Sequence, residues 1–274
     1  MTGSATGSEA VLRARNVVRT FSTPGGEVHA VAGIDLSVHP GELLVVRGAS
    51  GAGKTTLLNL LGGLDRPTSG EITIGEHVLG GLNEDALAAV RRDNIGFIFQ
   101  AFGLVPVLSA AENVELPLRI ARLAPTERDE RVAEALELVG LGAHREQRPG
   151  ELSGGQQQRV GIARAIVSRP RILIADEPTG QLDSRTAAQI MDLLVALTHT
   201  RGLAAIVSTH DPLLVARADR VIDIHDGRIR EPAEPAEPAE PAEPAEPGDP
   251  GEPAEPETRR SRRLARAVET EPRS

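Results

Sequence analysis

A glycine-rich run that contains the chain's single lysine constrains this sequence most. Of the 30 lysines and arginines in 274 residues, only Lys54 is a lysine. It belongs to the pattern G-x-x-x-x-G-K-S/T, which is formed here by Gly48, Ala49, Ser50, Gly51, Ala52, Gly53, Lys54 and Thr55. A lysine ammonium is a compact charge that fits along a triphosphate inside a tight loop, whereas a planar guanidinium is larger and prefers forked contacts. The run therefore predicts a phosphate-binding loop.

The segments on either side of this loop support the motif. Residues 43–46 are all apolar and predict a buried strand, and residues 55–61 predict a helix. A strand, a loop and a helix in this order are the context that separates a phosphate loop from a chance match. The alternative, a glycine-rich turn with an incidental lysine, does not account for these flanks. Thr56, which follows the loop, is a further candidate nucleotide contact.

Short apolar runs alternate with helical patterns and predict an α/β fold. The predicted strands are 11–19, 28–38, 43–47, 71–75, 95–99, 171–175, 204–208 and 220–225. The predicted helices are 54–63, 84–92, 109–122, 126–139, 155–168, 184–200 and 212–217. The strands at 171–175 and 204–208 are almost wholly apolar, as expected of central strands in a mostly parallel sheet. We therefore expect a P-loop NTPase core.

Two departures from the alternation predict subdomains. The strands within 11–38, joined by a turn at 23–26, predict an N-terminal antiparallel β subdomain. The stretch from about 101 to 167 contains helical patterns only and predicts an inserted all-helical subdomain. Residues 1–8 are expected to be disordered, so the folded domain is predicted to span 9–230.

The C-terminal part of the sequence has a different composition. A Glu-Pro-Ala repeat over 231–257 carries ten acidic and no basic residues and predicts a disordered acidic tail. Residues 258–274 are arginine-rich, with a net charge of +4. Residues 1–230 then have a net charge of −3, which gives no basic patch for nucleic acid.

Other features of composition bound the compartment. There is no cysteine, so disulfides and thiolate metal sites are excluded. Neither a secretory signal nor an apolar run long enough to span a bilayer is evident. We therefore expect a cytoplasmic protein.

A carboxylate pair at the end of a predicted strand supplies the second half of a magnesium–nucleotide site. Asp176 and Glu177 directly follow the apolar run 172–175. The Asp176 carboxylate is placed to hold Mg²⁺ beside the Thr55 hydroxyl. Glu177 is then a candidate general base for the water that attacks the terminal phosphate. The alternative is a capped turn into the next helix.

A second anion site is predicted at the start of another helix. Ser153, Gly154 and Gly155 precede Gln156 and open the helical pattern. Free backbone N–H groups and the helix dipole attract anions at such a start. Two phosphate sites in one chain make sense if the second serves a nucleotide held by another copy of the chain. A plain Ser-Gly-Gly helix cap is the alternative.

Taken together, these motifs resemble an ABC-type ATPase over about residues 9–230. The resemblance rests on the order and approximate spacing of Gly48–Thr55, Gln100, Leu152–Gln156, Asp176-Glu177 and His210. Within that superfamily, residues 95–100, 152–159 and 175–180 are similar to the macrolide-export and lipoprotein-release branch.

The resemblance implies a role for each matching residue. ATP would be bound by the loop from Gly48 to Thr56, with Mg²⁺ at Thr55, Asp176 and Gln100. Glu177 would be the catalytic base, His210 would contact the γ-phosphate, and Gln100 would relay the state of the metal and water. Ser153, Gly154, Gly155 and Gln156 would close over the nucleotide of a partner copy, with Asp183 at the same seam and Phe21 stacked on adenine.

The function implied is that of a transport ATPase subunit. Two copies would sandwich ATP and drive a separate integral membrane permease. Residues 101–114 would lie against this permease, so the protein would lie at the inner face of the cell membrane. An alternative is a regulatory or mechanical ATPase that activates a membrane-bound partner, as in cell-wall remodelling, without moving a solute. A DNA-maintenance ATPase is disfavoured because no sustained heptads appear, and a simple kinase does not explain residues 152–156.

Overall fold

The structure is a computed structural model that describes residues 9–230. Its strands are β1 (Leu12–Thr23), β2 (Gly26–Val38), β3 (Leu43–Arg47), β4 (Ser69–Ile74), β5 (His77–Val78), β6 (Ile95–Ile98), β7 (Ile172–Asp176), β8 (Ala204–Ser208), β9 (Arg220–His225) and β10 (Arg228–Arg230). Its α-helices are α1 (Lys54–Leu61), α2 (Glu84–Asn94), α3 (Ala110–Ile120), α4 (Pro125–Leu138), α5 (Gly154–Ile166), α6 (Ser184–Arg201) and α7 (Pro212–Val215). The predicted α/β fold is confirmed.

The N-terminal strands form an antiparallel sheet in the order β2-β1-β4-β5. β1 and β2 are a hairpin whose last pair is Thr23 with Gly26, at the predicted turn. Apolar side chains alternate along this sheet, and Leu12, Ile34 and Ile72 are buried. The antiparallel β subdomain expected from the sequence is therefore present.

The second sheet is parallel apart from one edge strand. Its order is β10-β9-β3-β8-β7-β6, and β10 runs antiparallel to β9. Alternate residues of the central strands enter different cores: Leu44 and Ile174 pack with α1 and the antiparallel sheet, whereas Val45 and Leu173 pack with the helices of the other face. A sheet covered on both faces requires continuous apolar strands, which explains the runs read from the sequence.

Three α-helices lie between β6 and β7 and form the inserted helical region. α3 begins with a capping box in which Ser109 and Glu112 bond each other's backbone N–H. α3, α4 and α5 share one buried apolar cluster that includes Val114, Leu136 and Val160. The helical character of this insertion is confirmed, and its boundaries at about 101 and 167 stay a prediction, as do the limits of the 9–230 domain.

Several expectations fall on other parts of the chain. The disordered start at 1–8, the acidic repeat at 231–257 and the arginine-rich segment at 258–274 lie outside the described residues. Within residues 9–230, none of the helices is both long enough and apolar enough to cross a membrane.

The parallel strands place the predicted site at one edge of the sheet. β3, β8, β7 and β6 are successive neighbours and point the same way. Ligands of open α/β sheets bind at the carboxyl ends of such strands. The glycine loop, His210, the Asp-Glu pair and Gln100 each follow one of these four ends.

Candidate active site

The glycine loop turns tightly between β3 and α1. Gly53 has φ +102°, and a Cβ there would lie 2.1 Å from the Ala30 carbonyl oxygen. A Cβ on Gly48 would lie 2.4 Å from the Ile224 carbonyl oxygen. These overlaps exclude any side chain at either position, so both glycines are required for the loop to sit against β2 and β9.

Lys54 lies across this loop. Its Nζ donates to the carbonyl oxygens of Gly48 at 2.8 Å and Ala49 at 3.2 Å. The loop opens onto a cavity of about 620 Å³. The cavity is lined by Ala30, Gly48, Ala49, Ser50, Gly51, Gly53, Lys54, Thr55, Thr56, Gln100, Asp176, Glu177, Gly180 and His210. A helix start, a lysine and backbone amides around one cavity are the ingredients of a triphosphate site.

The Thr55 hydroxyl and the Asp176 carboxylate meet within the cavity. Thr55 Oγ1 donates to Asp176 Oδ2 at 2.8 Å, and Ser208 Oγ donates to Asp176 Oδ1. Hydroxyl and carboxylate oxygens fit Mg²⁺, which takes few protein ligands when phosphates and water supply the rest. No cluster of three or more acidic, histidine or cysteine side chains suited to a metal is found among residues 9–230. Thr55 and Asp176 would supply two oxygen ligands to such an ion.

Glu177 sits in a strained turn. Its φ of +45° is in the left-handed region, which is uncommon for a residue other than glycine. Its N–H donates to Ser208 O at 3.0 Å, and its carbonyl oxygen accepts from the Gly180 N–H at 3.1 Å. These bonds hold the turn so that the side chain lines the cavity. Strain of this kind persists where the surroundings over-determine it, as at active sites.

His210 and Gln100 complete the cavity wall. His210 Nδ1 lies 3.2 Å from Glu177 Oε2, and the His210 side chain is 83% exposed. Gln100 is exposed beyond β6, and a Cβ on Gly180 would lie 3.4 Å from its Nε2. The predicted catalytic residues Glu177, His210 and Gln100 are thus brought together around the phosphate loop.

The Ser-Gly-Gly helix start lies elsewhere. The Ser153 hydroxyl caps α5 by accepting from the Gln156 N–H at 3.3 Å, and Gln156 Oε1 accepts from the Ser153 N–H at 2.8 Å. A Cβ on Gly155 would lie 2.3 Å from Thr186 Cγ2, so this glycine allows α5 to approach α6. Among the described residues, the cavity wall includes none of Ser153, Gly154, Gly155 and Gln156.

Asp183 caps α6 beside this helix start. Its carboxylate accepts from the Thr186 hydroxyl at 2.7 Å and from the N–H groups of Thr186 and Arg185. These bonds, with that of the Thr186 hydroxyl the largest, hold the pKa of Asp183 below its ordinary value. Asp183 is exposed and outside the cavity, so its predicted place at a dimer seam stays a prediction.

Phe21 also lies outside the cavity. It is on β1, is 38% exposed, and carries the Arg19 guanidinium 4.5 Å from its ring centroid. It does not appear among the residues of the described part that line the phosphate cavity. Adenine stacking on Phe21 stays a prediction.

Two residues of the site, Ser208 and Ala30, are not predicted by the sequence analysis. Ser208 bonds both the Asp176 carboxylate and the Glu177 N–H, and Ala30 lines the cavity from β2. A signal existed for Ser208, because it is the polar residue that ends the buried run of β8, as Asp176 ends β7. Ala30 carries no such signal, because only its backbone meets the loop.

Comparison with known proteins identifies the family. The family model described as ABC transporter matches residues 31–180. The chain is 44% identical over 221 residues to "Lipoprotein-releasing system ATP-binding protein LolD 1" of Rhodospirillum rubrum, covering 81% of this chain and 98% of that protein. It is 46% identical over 219 residues to "Macrolide export ATP-binding/permease protein MacB" of Hyphomonas neptunium, covering 80% of this chain and 34% of that protein. The chain thus spans about a third of this fused relative.

Solved structures agree with this similarity. The dimeric bacterial ABC transporter cassette MJ0796 superposes with a TM-score of 0.75 at 41% identity, covering 80% of this chain and 97% of that one. A second structure of MJ0796, a dimer in a post-hydrolysis state bound to ADP and Pi, gives 0.74 at 40% identity, with the same coverage. A family match over more than half of the chain and a relative matched along nearly its whole length agree with the geometry of the cavity. The chain belongs to the ABC transporter family of ATP-binding cassettes and is an ATPase.

Proposed function

We propose that this chain is the ATP-hydrolysing subunit of an export or lipoprotein-release ABC system and works as a nucleotide-sandwich homodimer. One observation carries the proposal. Lys54, Asp176, Glu177 and His210 face one cavity, whereas the Ser153 helix start, the other predicted phosphate site, lies outside it. The two halves are used together if a second copy places its α5 start over the cavity of the first.

Within the cavity, the roles follow from position. Lys54 and the loop amides bind the β- and γ-phosphates of ATP. Thr55, Asp176 and Gln100 would hold Mg²⁺, which would supply positive charge beside the phosphates. Ser208 supports this pair by donating to the carboxylate oxygen of Asp176 that Thr55 leaves free.

Glu177 acts as general base for the attacking water. Its carboxylate is 18% exposed and lies at the mouth of the phosphate loop, where a water can reach it. A positioned carboxylate contributes roughly 10²–10⁴-fold to such a step. His210 orients this carboxylate through its Nδ1 contact and faces the γ-phosphate from β8.

The partner copy supplies the opposite wall. Ser153 leaves the first N–H groups of α5 at an exposed helix start, and no acidic residue occupies its first turn. Such a start attracts a phosphate oxygen. Asp183 lies beside it and meets the partner at the seam. The relative MJ0796 is dimeric, which supports this arrangement.

The membrane partner is inferred from the relatives. LolD is named as the ATP-binding protein of a lipoprotein-releasing system, and MacB as an ATP-binding and permease protein in one chain. We infer that this chain drives a separate integral membrane permease and that it lies in the cytoplasm at the inner face of the membrane.

A partly apolar groove supports a contact with that permease. It has a volume of about 360 Å³ and lies between β6 and α3, lined in part by Phe97, Phe99 and Ile120. Phe99 is 45% exposed and Ile120 is 69% exposed. Phe99 directly precedes Gln100 in the chain, so a permease segment in this groove would sense the nucleotide site. Of the segment 101–114 that the sequence predicts to face the permease, Gly103 lines this groove.

Purification of the full chain from its native membranes tests this function. We expect the tagged protein to recover an integral membrane permease identified by mass spectrometry, and Ile120→Asp to lose most of it because a charge cannot enter an apolar contact without cost. Val78→Asp is the matched control, since Val78 is 42% exposed on the other sheet. Recovery of no membrane protein, or equal recovery with both variants, would contradict the proposed contact.

A further inference from the structure

Gln158 is a buried polar side chain that lies outside the cavity. It belongs to α5 and is 0% exposed. Its Nε2 donates to the Pro178 carbonyl oxygen at 2.6 Å, and its Oε1 is buried without a hydrogen-bond partner. A buried amide with one unsatisfied oxygen is costly to the fold. An apolar residue would fill this position at lower cost, so its single bond needs an explanation.

The bond reaches the turn that carries Glu177. Pro178 is buried and directly follows Glu177, whose backbone is left-handed. On the other side, Ser208 accepts from the Glu177 N–H, and Gly180 donates to the Glu177 carbonyl. Gln158 therefore adds a further hydrogen bond around this strained turn, and it is the one that comes from α5.

This bond joins two elements, unlike the buried side-chain bond of Thr198. Thr198, also 0% exposed, donates to the Leu194 carbonyl within its own helix. Gln158 instead joins α5 to the end of β7, 20 residues away in sequence. At the far end of α5, Arg164 donates to the carbonyls of Phe102 and Gly103, just after Gln100. One helix is thus tied to the segments that follow both Gln100 and Glu177.

We propose that Gln158 is a positioning residue that sets the orientation of the Glu177 carboxylate. The hydrogen bond to Pro178 keeps the Glu177 turn in its left-handed conformation. It also makes this orientation depend on α5, whose N-terminus closes over the partner's nucleotide. The proposal rests on the proposed role of Glu177 as general base.

Gln158→Met in the full chain tests it. Methionine keeps the length and removes both the donor and the unpaired oxygen. With MgATP, we expect kcat to fall about tenfold, with KM and equilibrium ATP binding changed by less than about twofold. Thr198→Val, which also removes one buried bond to a carbonyl, should leave kcat unchanged. Gln158→Leu replaces the methionine variant if thermal unfolding shows that the latter does not fold.

A double-mutant cycle ties the effect to Glu177. We expect Glu177→Gln to suppress hydrolysis while ATP binding is retained, and Gln158→Met to cause no further loss in that background. An equal tenfold loss in both backgrounds, an unchanged kcat in the single variant, or a rise in KM with constant kcat would overturn the positioning role. Normal turnover by Glu177→Gln would overturn the role of Glu177 itself, and with it this proposal. If Gln158→Met leaves kcat unchanged while Glu177→Gln suppresses hydrolysis, the positioning role is wrong and the proposed function stands.

Discussion

At the scale of the residue, backbone geometry is as restrictive as side-chain chemistry in this site. Gly48 and Gly53 have no room for a Cβ, and Glu177 adopts a left-handed conformation. A left-handed residue with a side chain costs about 1–2 kcal/mol, which hydrogen bonds from neighbouring elements must offset. Ser208 and Gly180 supply two of these bonds. The sequence motifs therefore specify a backbone conformation as well as a set of side chains.

Replacing Lys54 with arginine tests whether the loop is as tight as this geometry indicates. We expect Lys54→Arg to reduce the affinity for ATP by about tenfold or more although the charge is retained. A guanidinium is too large for the space between the Gly48 and Ala49 carbonyls. Titration with a fluorescent ATP analogue measures it. Arg91→Lys, the reverse exchange at an arginine that bonds the Gly63 carbonyl, should bind normally. Normal binding by Lys54→Arg would show a roomier loop.

The residues of the cavity could be predicted to the extent that they belong to contiguous motifs. The sequence predicts Lys54, Thr55 and Asp176 because each ends or follows an apolar strand in a fixed pattern. Gln158 could not be found, because its significance is a contact with Pro178, made across two packed elements. A local pattern carries no information on such a contact.

At the scale of the element, burial decides which strands can be read from the sequence. The predictions at 43–47, 204–208 and 220–225 coincide with β3, β8 and β9. β3 and β8 lie in the middle of the sheet and are apolar almost throughout. β5 and β10 were missed, because two or three residues are too few to show a period, and each strand exists by pairing across a tight turn.

The hairpin of β1 and β2 shows that the hydrophobic pattern also fails to mark the exposed end of a long strand. The prediction ended the first strand at residue 19, but β1 continues to Thr23. The added residues are polar or exposed, so no hydrophobic pattern marks them. Cross-strand pairs such as Thr20 with His29 continue the ladder to the turn. Backbone hydrogen bonds, rather than burial, extend this strand.

The start of α5 is the element on which the proposed nucleotide sandwich depends. We expect Ser153→Arg to lower the rate of ATP hydrolysis by about tenfold or more, because a large cation would replace the cap at the positive end of the helix. The monomer should still bind ATP. Rates of phosphate release and nucleotide titration separate the two effects. Asn83→Ala is a matched control: Asn83 caps α2 by accepting from the Ala86 N–H, and its loss should cost about 1 kcal/mol of stability without affecting hydrolysis. Equal loss of binding and hydrolysis in Ser153→Arg would contradict a role across a dimer.

At the scale of the whole molecule, each chain presents two incomplete sites on different elements. The cavity at the edge of the parallel sheet is lined by the groups proposed to bind and cleave a triphosphate, and the α5 start lies outside that cavity. A two-fold dimer is self-complementary, so each copy gives the other what it lacks. Because α5 also bonds the turn after Glu177, the proposed closure of one site would be linked to the geometry of the other.

Mixing two inactive variants tests this division of labour. Lys54→Arg damages the cavity and keeps the α5 start, whereas Ser153→Arg does the reverse. Random pairing makes about half of the dimers mixed, each with one intact composite site, so hydrolysis should recover to about a quarter of the wild-type rate. Separate affinity tags on the two variants confirm that mixed dimers form, and each variant alone should stay inactive. If tagged mixed dimers are recovered and remain inactive, both halves of the site must come from the same chain, or each site must need the other intact. Adding wild-type chain to Ser153→Arg distinguishes these two explanations, because both copies of the mixed dimer then keep Lys54 and one site is intact. If both halves come from one chain, this dimer hydrolyses ATP. If each site needs the other intact, it does not.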